Sequence, residues 1–89
     1  MIAAIDIETH DPRLKVWGPG SIRKDGFIIG IGCYCPDLGI DGFFKPDDSR
    51  IKEVLADETI TKIFHNGVYD LDWIMNGPDH LEVNGRCED

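Results

Sequence analysis

The sequence is short of basic residues, of paired cysteines and of long apolar segments, and each shortage excludes a class of protein. Its 89 residues include nine Lys and Arg against seventeen Asp and Glu, a formal charge of −8. Binding nucleic acid through phosphate contacts alone needs a basic surface, so the composition at first excludes that mode. No apolar run approaches the roughly 20 residues of a membrane span, and no cationic leader precedes the first apolar run. We therefore expect a soluble, cytoplasmic protein with no membrane partner.

The cysteines are three in number and none form a Cys-x-x-Cys pair: they are Cys33, Cys35 and Cys87. This count and spacing argue against a disulfide framework and against a thiolate zinc site, and favour reduced cysteines that pack in the interior. The length allows one small domain, residues 1–89, with a thin core. An apolar fraction of 42% is typical of a globular chain rather than a disordered one.

The apolar pattern predicts an α/β fold with a mixed sheet. Ile2 to Ile7 is nearly continuous and β-branched, which predicts a strand buried on both faces and ending near Glu8. The polar stretch from Thr9 to Gly26, which carries four of the nine basic residues, is predicted to be a long functional loop. The later elements are predicted to be strands at 27–35 and 40–44, a helix from about 49 to 57, a strand at 60–64, a helix at 67–76 and a strand at 81–83.

Two pairs of polar residues fall where strands are predicted to end. Asp6 and Glu8 are two apart on the first strand, so their carboxylates project from one face, about 6.5 Å apart. A bound cation would offset their repulsion, although a solvated Glu8 just beyond the strand is the alternative. Asn66 and Asp70 are four apart, one helical turn, at the start of the second helix. There the alternative is that Asn66 is an N-cap and Asp70 a surface charge.

Together these segments resemble a known family of nucleases. The sequence DIET at 6–9 and the sequence NGVYD at 66–70, in this order, resemble the first two motifs of the DEDD 3′–5′ exonucleases. The resemblance covers nearly the whole chain and is closest to the proofreading domain of phage DNA polymerases similar to bacterial DNA polymerase I. It implies a ribonuclease H-like mixed sheet, in which three antiparallel strands are followed by α/β units.

The resemblance also implies a site for two Mg²⁺ or Mn²⁺ ions that acts on the 3′ end of single-stranded DNA. The implied catalytic and metal-binding residues are Asp6, Glu8 and Asp70. Two divalent cations would change the charge of these three carboxylates from −3 to +1, so the acidity would no longer exclude DNA. Tyr69 rather than Trp73 is expected to stack on a base. The implied substrate-binding residues are Thr9, Asn66 and Tyr69.

The chain departs from the family at the third motif. Only nineteen residues follow Asp70, and they contain neither Tyr-x-x-x-Asp nor His-x-x-x-x-Asp. We therefore expect a C-terminally incomplete exonuclease domain with little or no nuclease activity by itself. A DNA polymerase domain or the missing C-terminal segment would be its protein partner.

Two other interpretations fit parts of the pattern. A non-catalytic, exonuclease-like module would bind a polymerase partner or single-stranded DNA without cutting it. A haloacid dehalogenase-like phosphatase would also place an acidic motif after its first strand. That family needs Asp at the position of Glu8 and a parallel sheet, so Glu8 and the hairpin predicted at Asp37 to Gly39 count against it.

Overall fold

In the part of the chain that the structure describes, five strands form one mixed sheet and two α-helices pack on one of its faces. The structure, a computed structural model, describes residues 1–10, 26–65, 67–77 and 79–89. Predictions for residues 11–25, for Asn66 and Pro78, and for the side chain of Val68 lie outside what it describes. The strands are β1 Ile2–His10, β2 Phe27–Cys35, β3 Ile40–Phe44, β4 Thr61–Phe64 and β5 Cys87–Glu88. The helices are α1 Ser49–Ala56 and α2 Gly67–Asn76, and a 3₁₀ turn spans Pro36–Leu38.

The first strand is the centre of the sheet. The strand order is β3-β2-β1-β4-β5. β1 pairs antiparallel with β2 and parallel with β4, while β2 and β3 are antiparallel and β4 and β5 parallel. Because β1 and β4 run in the same direction, both end at the same edge of the sheet, where α2 begins. The predicted α/β class and mixed sheet are confirmed.

The prediction that β1 is buried on both faces is wrong. Ala3, Ile5 and Ile7 point into the core and are at most 7% exposed. Asp6 and Glu8 are exposed on the opposite face. Both helices contribute to the core on one side of the sheet, so the strand alternates between buried and exposed positions.

Local chemistry sets the ends of α1. The Asp48 side chain accepts a hydrogen bond from the main-chain N–H of Arg50 at 2.9 Å, which caps the helix start. Hydrogen bonds from Arg50 hold the pKa of the Asp48 carboxyl below its ordinary value. Apolar residues at helical spacing place one face of each helix against the sheet. Among the helix side chains that the structure describes, the buried apolar ones are Ile51, Val54, Leu55, Trp73 and Ile74.

The last strand lies elsewhere than predicted. Residues 81–83 are not a strand, because this part of the main chain bonds to the helices. Leu81 N–H donates to the Ile74 carbonyl at 2.8 Å, and Asn84 N–H donates to a carbonyl of α1 at 2.9 Å. The fifth strand is the short segment Cys87–Glu88, which pairs with β4. The alternation of Leu81 and Val83 reflects packing against the core.

The cysteines are thiols in the structure, and two of them lie in the core. Cys33 and Cys35 are buried on β2, whereas Cys87 is half-buried on β5. Burial, and then the neighbouring Cys35, raises the pKa of the Cys33 thiol from 9.0 to about 11. Cys33 is therefore protonated at neutral pH and packs as a small apolar side chain. Within the described residues, neither helix has the length and apolarity needed to cross a membrane.

Candidate functional site

The first motif lies on the exposed side of the central strand. Asp6 is paired with Gly32 and Glu8 with Gly30, so glycines flank both carboxylates on the side of β2. The two glycines are two apart on β2, so they lie on one face of the strand. A Cβ added to Gly30 would clash with the ring of Phe43, so this ring packs directly against the Gly30 backbone. The register of β1 against β2 shifts between Glu8 and Thr9, a bulge just after the two carboxylates.

A hydrogen bond joins the first motif to the second. The Thr9 hydroxyl and the Tyr69 hydroxyl are 2.8 Å apart, although sixty residues separate them in the chain. Thr9 lies near the end of β1 and Tyr69 in the first turn of α2, so this bond connects the strand edge to the helix start. Both side chains are half-buried, which excludes part of the competing water.

The carboxylate of the second motif has a different environment from the two on β1. Asp70, in the first turn of α2, is only 3% exposed. A negative charge there is favoured by the helix dipole. Asp6, Glu8 and Asp70 do not form one cluster: no group of three or more His, Cys, Asp or Glu side chains in the described residues could hold a metal ion. Asn66, the other predicted residue of this motif, lies outside the described residues.

A further carboxylate, which the sequence reasoning missed, caps α2. Asp89 Oδ1 accepts a hydrogen bond from the main-chain N–H of Gly67 at 3.0 Å. A Cβ added to Gly67 would lie 3.4 Å from the Asp89 side chain, so the two residues are in close contact. Twenty-two residues separate them, and no local sequence signal could have paired them. The start of α2 is therefore held by the segment after β5.

The aromatic residues of α2 divide between core and site. Trp73 is fully buried, so it belongs to the core and is not free to stack on a base. Tyr69 lies beside it with ring centroids 6.4 Å apart, and its hydroxyl reaches Thr9. Tyr69 is therefore the α2 aromatic that is half-buried and reaches the end of β1, while Trp73 packs beside it in the core.

The donor set on β1 suits a hard divalent cation. Asp6 and Glu8 are exposed carboxylates with oxygen donors only, which Mg²⁺ and Mn²⁺ prefer. The antiparallel pairing of β1 with β2 differs from the all-parallel sheet that the phosphatase alternative requires.

Comparisons with protein-family models, with curated proteins and with solved structures found no match to this chain.

Proposed function

We propose that this chain is the N-terminal part of a two-metal-ion 3′–5′ exonuclease domain, which hydrolyses phosphodiester bonds at the 3′ end of DNA during proofreading. The observation that carries the proposal is the 2.8 Å hydrogen bond between Thr9 and Tyr69, because it brings the two motifs together. A sheet with β1 at its centre, antiparallel to β2 and parallel to β4, supports a ribonuclease H-like arrangement. The host cytoplasm, if the chain is phage-encoded, would be its location.

In the proposed site, Asp6 and Glu8 would hold the divalent cations from the exposed face of β1. Asp70 is the further ligand that the resemblance implies, although it does not form one cluster with them in the structure. Those ions would supply a bound water of lowered pKa and stabilise charge on the leaving oxygen. The protein's own contribution is to place the side chains. β1 projects Asp6 and Glu8 from one face, and the bond from Thr9 holds Tyr69 at the end of the same strand. Tyr69, Thr9 and Asn66 would contact the terminal nucleotide.

The missing third motif limits what this chain does alone. Without a fourth carboxylate and a group to orient the water, cations would bind weakly and hydrolysis would be slow. A C-terminal segment or a polymerase partner would complete the site. We expect little or no shortening of labelled single-stranded DNA by this chain in Mg²⁺ or Mn²⁺. Robust shortening from the 3′ end would contradict the idea that the domain is incomplete.

A second candidate is the non-catalytic module that binds DNA or a polymerase partner without cutting. The observation that favours it is the placement of the carboxylates: Asp70 is buried, and it forms no three-residue metal group with Asp6 and Glu8 in the described residues. For such a module, replacing Asp6 by Ala would leave binding of DNA or the partner unchanged.

Calorimetric titration with Mn²⁺ distinguishes the two candidates. We expect Asp6→Asn to weaken Mn²⁺ binding at least tenfold, because it removes one charged ligand and conserves the side-chain shape. Asp41→Asn is the matched control, since Asp41 is an exposed carboxylate on the same face of the sheet, two strands away. It should change the affinity by less than twofold. If Asp6→Asn and Asp41→Asn behave alike, the metal site is wrong and the non-catalytic module is favoured.

A further inference from the structure

The sheet face opposite the helices is apolar at its centre. Pairing across all five strands aligns one row of outward-facing residues. Its three central members, Tyr34, Ala4 and Ile63, are apolar or aromatic, and Tyr34 is 53% exposed. Ile2 and Phe43 beside the row are 55% and 58% exposed. We call this surface the open face, and its main row is Asp41, Tyr34, Ala4, Ile63 and Glu88.

The open face is large enough to be an interaction surface. Four large side chains that are 38–58% exposed, Ile2, Tyr34, Phe43 and Ile63, present an apolar patch. Its area of about 400 Å² is comparable to the largest patches of soluble monomers, which are often functional. A groove of about 530 Å³ runs across it. Its lining includes the small outward-facing residues Ala4 and Gly32, with Tyr34 and Ile63 beside them. Small residues allow another backbone to approach closely.

The charges of the Asp, Glu, Lys and Arg side chains at the described outward-facing strand positions of the open face all have one sign. Asp41 and Glu88 lie at the two ends of the row, and Asp6 and Glu8 lie farther along β1. No Lys or Arg occupies an outward-facing strand position in the described residues. Arg86 approaches Glu88 at 3.5 Å, but both side chains are exposed, so the pair is weak and Glu88 stays accessible to another cation.

We propose that the open face docks an amphipathic helix whose apolar stripe is flanked on both sides by Lys or Arg. The distance across four strand spacings, from Asp41 to Glu88, is about 19 Å. A helix of about 10–12 Å diameter covers the central strands and leaves flanking cations within reach of both end carboxylates. A second copy of this chain would bring two acidic faces together, so the charges favour a basic partner over self-association. The proposal needs no metal and goes beyond the proposed function.

Designed peptides test the proposal in metal-free buffer. The probe is an 18-residue helical peptide with leucines on one face and lysines on both flanks, about 27 Å long and thus similar to the nine-residue β1. The matched peptide has glutamates in place of the lysines. Fluorescence anisotropy should show binding of the lysine peptide and at least tenfold weaker binding of the glutamate peptide. The affinity for the lysine peptide should also fall as salt is raised.

Variants of this chain locate the contact. Tyr34→Ser and Ile63→Ser should each weaken the lysine peptide about tenfold, because both side chains lie in the apolar centre of the row. Met75→Ser is the control, since Met75 is a similarly exposed apolar side chain on α2, at 47%. It should change affinity by less than twofold. If Ile63→Ser does not fold by circular dichroism, Tyr34→Ser and the amide shifts of β1 on peptide addition still locate the site.

Three outcomes would overturn the proposal. The first is equal binding of the two peptides, which would remove the role of the carboxylates. The second is no binding of the lysine peptide, or an equal loss in Met75→Ser. The third is a dimer in light scattering that Tyr34→Ser dissociates, because the open face would then be covered by a second copy.

Discussion

The buried Lys62 allows a quantitative test of what holds the sheet to α1. Its side chain is fully buried on β4. Its Nζ donates to the main-chain carbonyl of Asp57, just after α1, and to that of Asn84 at 2.6 Å. Burial lowers the pKa of Lys62, and the nearby Cys87 and Asp57 offset part of that shift. One amino group thus connects the end of α1 to the chain before β5.

Replacing Lys62 by methionine keeps the aliphatic part of the side chain and removes both hydrogen bonds. Each bond from the charged amino group contributes about 1.5–2 kcal/mol, and removing that charge from the interior recovers about 1 kcal/mol of desolvation cost. We expect a net loss of about 2–3 kcal/mol in the free energy of unfolding. A domain of 89 residues has only about 4–13 kcal/mol in total, so the loss is a large fraction of its stability.

Urea denaturation followed by circular dichroism measures the loss. With a slope of about 1–2 kcal/mol per molar urea, the midpoint should fall by about 1–3 M. Lys52→Met is the control, since Lys52 is exposed on α1 and its replacement should stay within about 0.5 kcal/mol. An unchanged or higher midpoint for Lys62→Met would refute the reasoning. It would mean that burying the amino group costs as much as its two bonds return.

Three further perturbations test other parts of the structure. Thr9→Val, Tyr69→Phe and the double variant should give a coupling energy of about 0.5–1.5 kcal/mol in urea denaturation, and a value near zero would contradict the 2.8 Å bond. Asp89→Ala should lower stability by about 0.5–2 kcal/mol by removing the cap on Gly67, while Asp89→Asn should lose less. Since the folded-state pKa of Cys33 is raised from 9.0 to about 11, its contribution is complete below pH 9 and declines by about 2–3 kcal/mol as pH rises through 11. The urea midpoint, measured between pH 8 and 11, should fall less with pH in Cys33→Ala than in the unchanged chain. Equal slopes of midpoint against pH in the two proteins would argue against the buried thiol.

Elements with strong local boundaries are predictable from this sequence. The predicted strands at 27–35 and 40–44 and the helix at 67–76 match β2, β3 and α2 in their bounds. In each, an apolar run ends at turn or helix-terminating residues, such as Pro36 after β2 and Gly77 after α2. Where neighbouring residues decide where a helix or strand ends, the sequence pattern is sufficient to predict that boundary.

Elements and contacts that depend on distant partners are not predictable in this way. Cys87–Glu88 is too short to show a hydrophobic pattern, and it is a strand only because it pairs with β4. Likewise, the resemblance identified Thr9 and Tyr69 separately but not their bond, and no sequence pattern could pair Asp89 with Gly67. Asp70 is buried rather than exposed at the surface. The sequence could not predict this, because the burial depends on how α2 packs against the sheet.

The positions of the charged residues, rather than the net charge, indicate which kind of partner the open face would bind. A charge of −8 first argued against nucleic acid, yet the outward strand positions hold four carboxylates and, in the described residues, no Lys or Arg. Such a face attracts cations of any kind. A DNA phosphate would approach Asp6 and Glu8 favourably only after bound divalent ions have reversed the negative charge of these carboxylates. A lysine-flanked helix would bind the same face favourably only while those ions are absent. Divalent metal is therefore the condition that separates the two proposed partners, and peptide and DNA binding should respond to it in opposite directions.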